Sequence, residues 1–203
     1  MQYFVTAIGT DSGKTLVSAI LTEALSADYW KPVQAGLPAD TDTVKTLVSN
    51  STTVFHPEAH RLNTPASPHA AAKIDRVEVT VANIGGISTS NDLVIEGAGG
   101  LMVPLNNSEF VIDIARQPET EVVLVSNLYL GSINHTLLTV DYLKRNNFKV
   151  KGIIFNGDEN EESERIIEHH SGYRVLLRLP RLGMINKNII RYWADELLLN
   201  WYD

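Results

Sequence analysis

Short apolar runs recur along the chain, each followed by a small-residue loop and then by apolar positions at helical spacing. The first run, Tyr3-Phe4-Val5-Thr6-Ala7, gives way to Gly9-Thr10-Asp11-Ser12-Gly13-Lys14-Thr15. Val17, Ile20, Leu21 and Ala24 follow at i, i+3, i+4, i+7 spacing, the core-facing stripe of a helix over 16–27. A short run over 28–33 leads into Lys31-Pro32-Val33-Gln34-Ala35-Gly36, and Asn91-Asp92-Leu93-Val94-Ile95-Glu96 closes on an acid before Gly97-Ala98-Gly99-Gly100. Runs over 121–126, 149–155 and 174–179 read as further buried strands. Helices are expected over 109–116 with Ser108 as cap, from Gly131 to 144, and around Ile190, Trp193, Ala194, Leu197 and Trp201. The alternation predicts an α/β fold of three layers, a mostly parallel central sheet with helices on both faces. Ligands of such sheets bind beyond the carboxyl ends of the strands.

Composition narrows the picture. At 203 residues one domain spanning 1–203 is expected. The net charge of −7 argues against nonspecific nucleic-acid binding. No apolar run approaches the ~20 residues of a membrane span. The chain enters its first strand without a basic leader, so a cytoplasmic location is expected. The absence of cysteine excludes disulfides, thiolate metal sites and cysteine nucleophiles.

The residues after each strand carry the candidate chemistry. Strand, tight loop, Gly-Lys-Thr and helix is the context of a phosphate-binding loop. Free N–H groups at the helix start attract phosphate, Lys14 adds a point charge, and the Thr15 hydroxyl suits Mg²⁺. The usual spacing asks for a glycine where Ile8 stands, between Ala7 and Gly9. Lys31 ends a strand beside a Pro/Gly turn and either faces the ligand crevice or is a solvated lysine. Asp40-Thr41-Asp42-Thr43 either caps the helix holding Val44, Leu47 and Val48 or offers a carboxylate to a metal. Glu96, opposite the phosphate loop, is placed to hold a nucleotide-bound Mg²⁺ or its water. Gly131-Ser132-Ile133-Asn134-His135 either binds a carboxylate at a helix start or caps it ordinarily. Asn156-Gly157 is a turn, or an amide presented to a base. His56, His60 and His69 show no metal-ligand spacing and read as structural.

Taken in order, the phosphate loop, Lys31-Pro32-Val33-Gln34-Ala35-Gly36, Ser67-Pro68-His69, Glu96-Gly97-Ala98-Gly99-Gly100, Gly131-Ser132-Ile133-Asn134-His135 and Asn156 resemble the dethiobiotin synthase family of biotin synthesis, through nearly the whole chain. The resemblance implies a P-loop NTPase-like, ATP-dependent cyclo-ligase acting on 7,8-diaminononanoate and CO₂ with Mg²⁺. A carbamate forms on the diamine, attacks the γ-phosphate to give a carbamic–phosphoric anhydride, and ring closure releases dethiobiotin, ADP and phosphate. Lys14 and Lys31 would be the catalytic residues. Thr10, Asp11, Ser12, Gly13, Lys14, Thr15 and Leu16 would bind ATP, with Asp42, Glu96, Gly97, Ala98 and Gly99. Asn156, Gly157, Pro180, Arg181 and Leu182 would hold its adenine end. Thr15, Asp42 and Glu96 would be the metal's protein ligands. Lys31, Ala35, Gly131, Ser132 and Asn134 would contact substrate, the last three across a homodimer interface.

Two positions depart from the family: its first loop glycine falls on Ala7, and a hydroxyl of many members is Ala35. The alternatives are another P-loop superfamily ATPase or a catalytically silent nucleotide-binding relative. Against the first stand the lack of an early-loop lysine, as in partitioning ATPases, and of an amidotransferase cysteine. Against the second stands the joint presence of Lys14, Thr15, Lys31 and Glu96.

Overall fold

The computed structural model describes residues 1–202. Its strands are β1 (Gln2–Ala7), β2 (Asp28–Trp30), β3 (Val33–Ala35), β4 (Phe55–His56), β5 (His60–Leu62), β6 (Leu93–Glu96), β7 (Thr120–Asn127), β8 (Val150–Asn156) and β9 (Val175–Leu179). Seven of them form one sheet in the order β4-β2-β6-β1-β7-β8-β9, and every neighbouring pair is parallel. The helices are α1 (Lys14–Leu25), α2 (Asp40–Leu47), α3 (Pro68–Asp75), α4 (Val81–Ile84), α5 (Ser132–Arg145), α6 (Glu161–Ser171) and α7 (Lys187–Leu198).

The two-residue period of β1 divides the core. Tyr3, Val5 and Ala7 point to one face and pack with Val17, Ile20 and Leu21 of α1 and Ile190 and Leu197 of α7. Phe4 points to the other and joins Val140 and Leu143 of α5 and Ile167 of α6. The predicted three layers are therefore present. Trp201 is buried edge-on against Tyr3, ring centroids 4.9 Å apart. Burying such a side chain contributes about 2–3 kcal/mol, which fixes α7 to the sheet. No helix among the described residues is long and apolar enough to cross a membrane.

Two expectations change. The run over 28–33 is not one strand. Pro32 has no N–H to give to the central ladder, so β2 ends at Trp30 and the chain restarts as β3, paired with β5 in a separate two-stranded sheet. The helix expected over 109–116 begins later, as a 3₁₀ helix at Val111–Arg116. Ser108 does not cap it. Instead Asn106 Oδ1 accepts from the Ser108 and Glu109 N–H groups, and Phe110 bridges antiparallel to Pro104. The backbone polar groups before Val111 are thus satisfied by a turn, which delays the helix.

The strand order sets the site. Val5 is in register with Glu96, and Ile95 with Trp30. The carboxyl ends of β1, β6 and β2 consequently lie side by side. That brings the loop before α1, Glu96 and Lys31 to one edge of the sheet.

Candidate active site

The loop between β1 and α1 is held in a shape that only glycine tolerates. Gly13, at the helix N-cap, has φ 91°, and no side chain caps the first turn. A Cβ there would meet Asn156 Nδ2 at 2.2 Å. That amide reaches across from the end of β8 and donates to the Ser12 carbonyl at 2.9 Å. Ser12 Oγ donates to the Gly9 carbonyl at 3.1 Å, closing the loop on itself. Lys14 Nζ lies 3.3 Å from the same carbonyl. Burial, and then the charge of Lys31, push the Lys14 amine down to about 8, against the opposing pull of Glu96, Asp40 and Asp11. The uncapped N–H groups and Lys14 make an anion site at a helix N-terminus.

Beside the loop sits a group of charged side chains in which Lys31 and Glu96 are buried and Asp40 is partly exposed. Thr15 Oγ1 is 2.8 Å from Glu96 Oε1 and 3.2 Å from Asp40 Oδ1. Lys31 Nζ is 2.7 Å from Asp40 Oδ2, 3.2 Å from Glu96 Oε1 and 2.8 Å from the Gly97 carbonyl. All three protons of its ammonium have acceptors. Burial alone would strip the charge from Lys31, but the Glu96 and Asp40 carboxylates outweigh it and hold the amine above the ordinary lysine value. Tyr29, within β2, donates its hydroxyl to Glu96 Oε2 at 2.9 Å.

Asp40, rather than the expected Asp42, faces Thr15 and Lys31. It is the first residue of α2, whose N-cap Ala39 offers no side-chain acceptor. Gln34 Oε1 substitutes by accepting from the Asp40 N–H at 3.0 Å, while Gln34 Nε2 donates to the Gly36 carbonyl. Asp42, two residues along the same helix, is exposed and does not line the cavity. Two residues are roughly half a helical turn, so the two aspartates cannot both face the loop.

The cavity over this group has a volume of about 720 Å³. Thr10, Asp11, Gly13, Lys14, Thr15, Lys31, Asp40, Glu96, Ala98 and Gly99 form its polar end. Val33, Ala35, Leu37, Pro38, Pro65, Ala66, Pro68 and Val103 form an apolar wall. Gly97 lies behind the lining, where a Cβ would press on Phe4 at 3.1 Å. Ser12 is buried beneath the loop and Leu16 packs on the core, so neither lines the cavity.

The remaining expected residues lie apart. Gly157 and Pro180 line a separate cleft of about 290 Å³ with Leu128, Phe155 and Trp193. Arg181 is exposed and paired with Asp158 at 3.5 Å, and Leu182 packs on the core. Gly131, Ser132 and Asn134 start α5 and do not line the main cavity. Within one chain they do not meet Lys31. The buried Ser132 Oγ has no hydrogen-bond partner among the described residues. His56, His60 and His69 bond Asp28, Asn83 and Ser67 respectively.

Among the described residues no three His, Asp or Glu side chains converge to make a metal cage. Thr15, Asp40 and Glu96 instead offer three hard oxygens on one side only. That donor set fits Mg²⁺, which is held by one or two carboxylates together with substrate phosphates and waters. Tyr29 and Gln34 join the site without a sequence signal for Tyr29, an ordinary strand aromatic by pattern, while Gln34 lies inside the lysine-proline-valine motif.

Comparison with known proteins identifies the family. The model of a family described as an AAA domain matches residues 1–188. An ATP-dependent dethiobiotin synthetase BioD from Cytophaga hutchinsonii is 57% identical over 100% of this chain and 99% of its own length. The protein of the same name from Christiangramia forsetii is 49% identical over 96% of this chain and 95% of its own. Among solved structures, the septum site-determining protein MinD from Pyrococcus horikoshii, complexed with Mg-ADP, superposes with a TM-score of 0.56 at 13% identity, covering 97% of this chain and 96% of that one. A putative plasmid partition protein from Borrelia burgdorferi, bound to AMPPNP, gives 0.57 at 11% identity, covering 98% of each chain. Those two likenesses confirm the P-loop NTPase-like fold. The identity to the synthetases runs through essentially the full length of both chains, and the chain belongs to the ATP-dependent dethiobiotin synthetase family.

Proposed function

We propose that this chain is an ATP- and Mg²⁺-dependent ligase that carboxylates 7,8-diaminononanoate with CO₂ and closes the ureido ring of dethiobiotin. The observation that carries the reading is the convergence of Lys14, Thr15, Lys31, Asp40 and Glu96 on a cavity whose other wall is apolar. The polar end suits a triphosphate and a carbamate, and the apolar wall suits an alkyl chain.

An amine of the diamine adds to CO₂ and loses a proton, giving a carbamate. A carbamate oxygen attacks the γ-phosphorus, and the bond to ADP breaks. The second amine then attacks the anhydride carbonyl, phosphate leaves, a further proton is lost and the ring closes. Such a transfer needs positioning and charge neutralisation more than covalent help. The loop N–H groups and Lys14 bind the phosphates. Lys31, kept charged by its carboxylate neighbours, pairs with the carbamate and steadies charge on the transferred group. Thr15, Asp40 and Glu96 would hold Mg²⁺, which supplies further neutralisation of the phosphate charge. Asp40 replaces Asp42 in this set.

The enzyme acts as a cytoplasmic homodimer in this reading. The start of α5 at Gly131 to Asn134 receives the substrate carboxylate of the neighbouring subunit through the N–H groups of Ile133 and Asn134, since the Ser132 N–H is donated to the Tyr129 carbonyl at 2.9 Å. The exposed Met102, Tyr129, Leu130 and Leu138 around that helix support a second copy covering it. Adenine lies near Asn156 and the cleft at Gly157 and Pro180.

The test is phosphate release from Mg-ATP and bicarbonate with and without the diamine. Release that requires the diamine, with dethiobiotin seen by mass spectrometry and lost in Lys31→Ala, is expected. Hydrolysis indifferent to the diamine would point to another ATPase activity.

A further inference from the structure

The hydroxyl of Tyr29 has a place in the site that the reaction scheme leaves unused. Tyr29 is the middle residue of β2 and has no exposed surface. Its ring lies 5.9 Å from that of Phe55 within the core. Its hydroxyl leaves that apolar setting to donate to Glu96 Oε2 at 2.9 Å. The other carboxylate oxygen, Oε1, takes both Thr15 Oγ1 and Lys31 Nζ. Glu96 is itself almost fully buried. Its two oxygens therefore have separate surroundings, one on the core side of the strand end and one on the cavity side.

We propose that Tyr29 is a positioning residue that fixes the plane of the Glu96 carboxylate, so that Glu96 offers a single oxygen, Oε1, to the metal. The inference rests on the reading of Glu96 as a Mg²⁺ ligand. The last torsion of a glutamate is broad and roughly two-fold, so backbone placement alone does not set the plane. A donor on one oxygen does. The phenol O–H has Glu96 Oε2 as its acceptor at 2.9 Å, so Tyr29 acts there as a donor. Mg²⁺ demands a near-ideal octahedron, whereas Ca²⁺ accepts two oxygens of one carboxylate. With the plane fixed, the site favours the smaller ion. With the phenol gone, Glu96 is free to turn and offer both oxygens.

The test measures ADP binding at a series of Mg²⁺ concentrations, and again in EDTA, for the wild-type chain and Tyr29→Phe. Ca²⁺ titrations run in parallel, and melting curves verify folding. The diamine is absent, so the outcome does not depend on which ring the enzyme closes. Loss of a hydrogen bond to a metal-holding carboxylate predicts a half-saturating Mg²⁺ concentration about tenfold higher. ADP affinity in EDTA stays unchanged, and the preference for Mg²⁺ over Ca²⁺ narrows. A merely structural hydroxyl would lower the melting temperature without moving the metal dependence. Placing 4-fluorophenylalanine at position 29 fills the same volume without a donor and serves where Tyr29→Phe does not fold; the same shift is expected. An unchanged Mg²⁺ dependence in a folded variant overturns the positioning role. ADP binding that ignores Mg²⁺ in the wild-type chain overturns the metal reading of Glu96, and the role of Tyr29 with it.

Discussion

Replacing Asp40 by Asn separates the two aspartates of α2 with little change of shape. Asp40 touches Thr15 Oγ1 at 3.2 Å and Lys31 Nζ at 2.7 Å, with its side chain 31% exposed. The substitution keeps a hydrogen-bond acceptor and removes one of the two carboxylate charges beside the phosphate loop. Unit charges at about 4 Å and an effective dielectric near 20 interact by roughly 4 kcal/mol. Water at the open side of the cavity reduces this to about 3 kcal/mol, which is about a hundredfold in Mg²⁺ affinity. Lys31 retains Glu96 as its partner, so the fold loses only about 1–2 kcal/mol. Asp42→Asn, at an exposed position, changes either quantity by less than about 0.5 kcal/mol, or roughly twofold. The assay is dethiobiotin formation against Mg²⁺ concentration for both variants, with urea unfolding alongside. A loss in Asp42→Asn equal to that in Asp40→Asn would refute the assignment of Asp40.

Gly13→Ala forces a side chain into a left-handed position, which costs about 1–2 kcal/mol, and against Asn156 Nδ2, which a Cβ would meet at 2.2 Å. Calorimetry is expected to show ATP binding weakened more than tenfold in a protein that still melts cooperatively. Glu23 accepts from the Ser49 and Asn50 N–H groups at 2.7 and 3.1 Å and ties α1 to the end of α2. Glu23→Ala leaves those donors without their acceptor and lowers stability by about 3 kcal/mol, read as a shifted urea midpoint at unchanged slope. Burial, and then the charges of Asp92 and Glu121, push the Tyr3 phenol up from 10.0 to about 12. The folded value lies above the unfolded one, so its contribution is whole below pH 10.0 and disappears as pH rises through about 12. Melting temperatures should fall across that window and fall less in Tyr3→Phe.

The sequence carried the fold because period and punctuation agreed at every level. Each apolar run ended in a small-residue loop, and each loop opened a helix whose apolar stripe matched one face of the sheet. Lys14, Thr15, Lys31 and Glu96 were legible for the same reason, since each follows a strand end that the topology brings to one edge. Asp40 was not, because both acids of Asp40-Thr41-Asp42 suit a first helical turn, and only the register of α2 decides between them. That register depends on Gln34, a cap supplied from β3, which Pro32 separates from β2 and places in a different sheet. Tyr29 was hidden for a different reason. An aromatic in a buried strand satisfies the hydrophobic pattern whether or not its hydroxyl has work to do. The start of α5 reads equally well as a carboxylate site or as an ordinary cap, because free N–H groups at a helix start serve both and no pattern within one chain decides between them.

The most direct test of the central claim supplies ¹³C-labelled bicarbonate, Mg-ATP and 7,8-diaminononanoate to the purified protein and follows product mass and ADP together. The predicted result is dethiobiotin one mass unit heavier, formed with one ADP per ring and absent when ATP is withheld. ADP formed at the same rate without the diamine, or a product without the label, would contradict it.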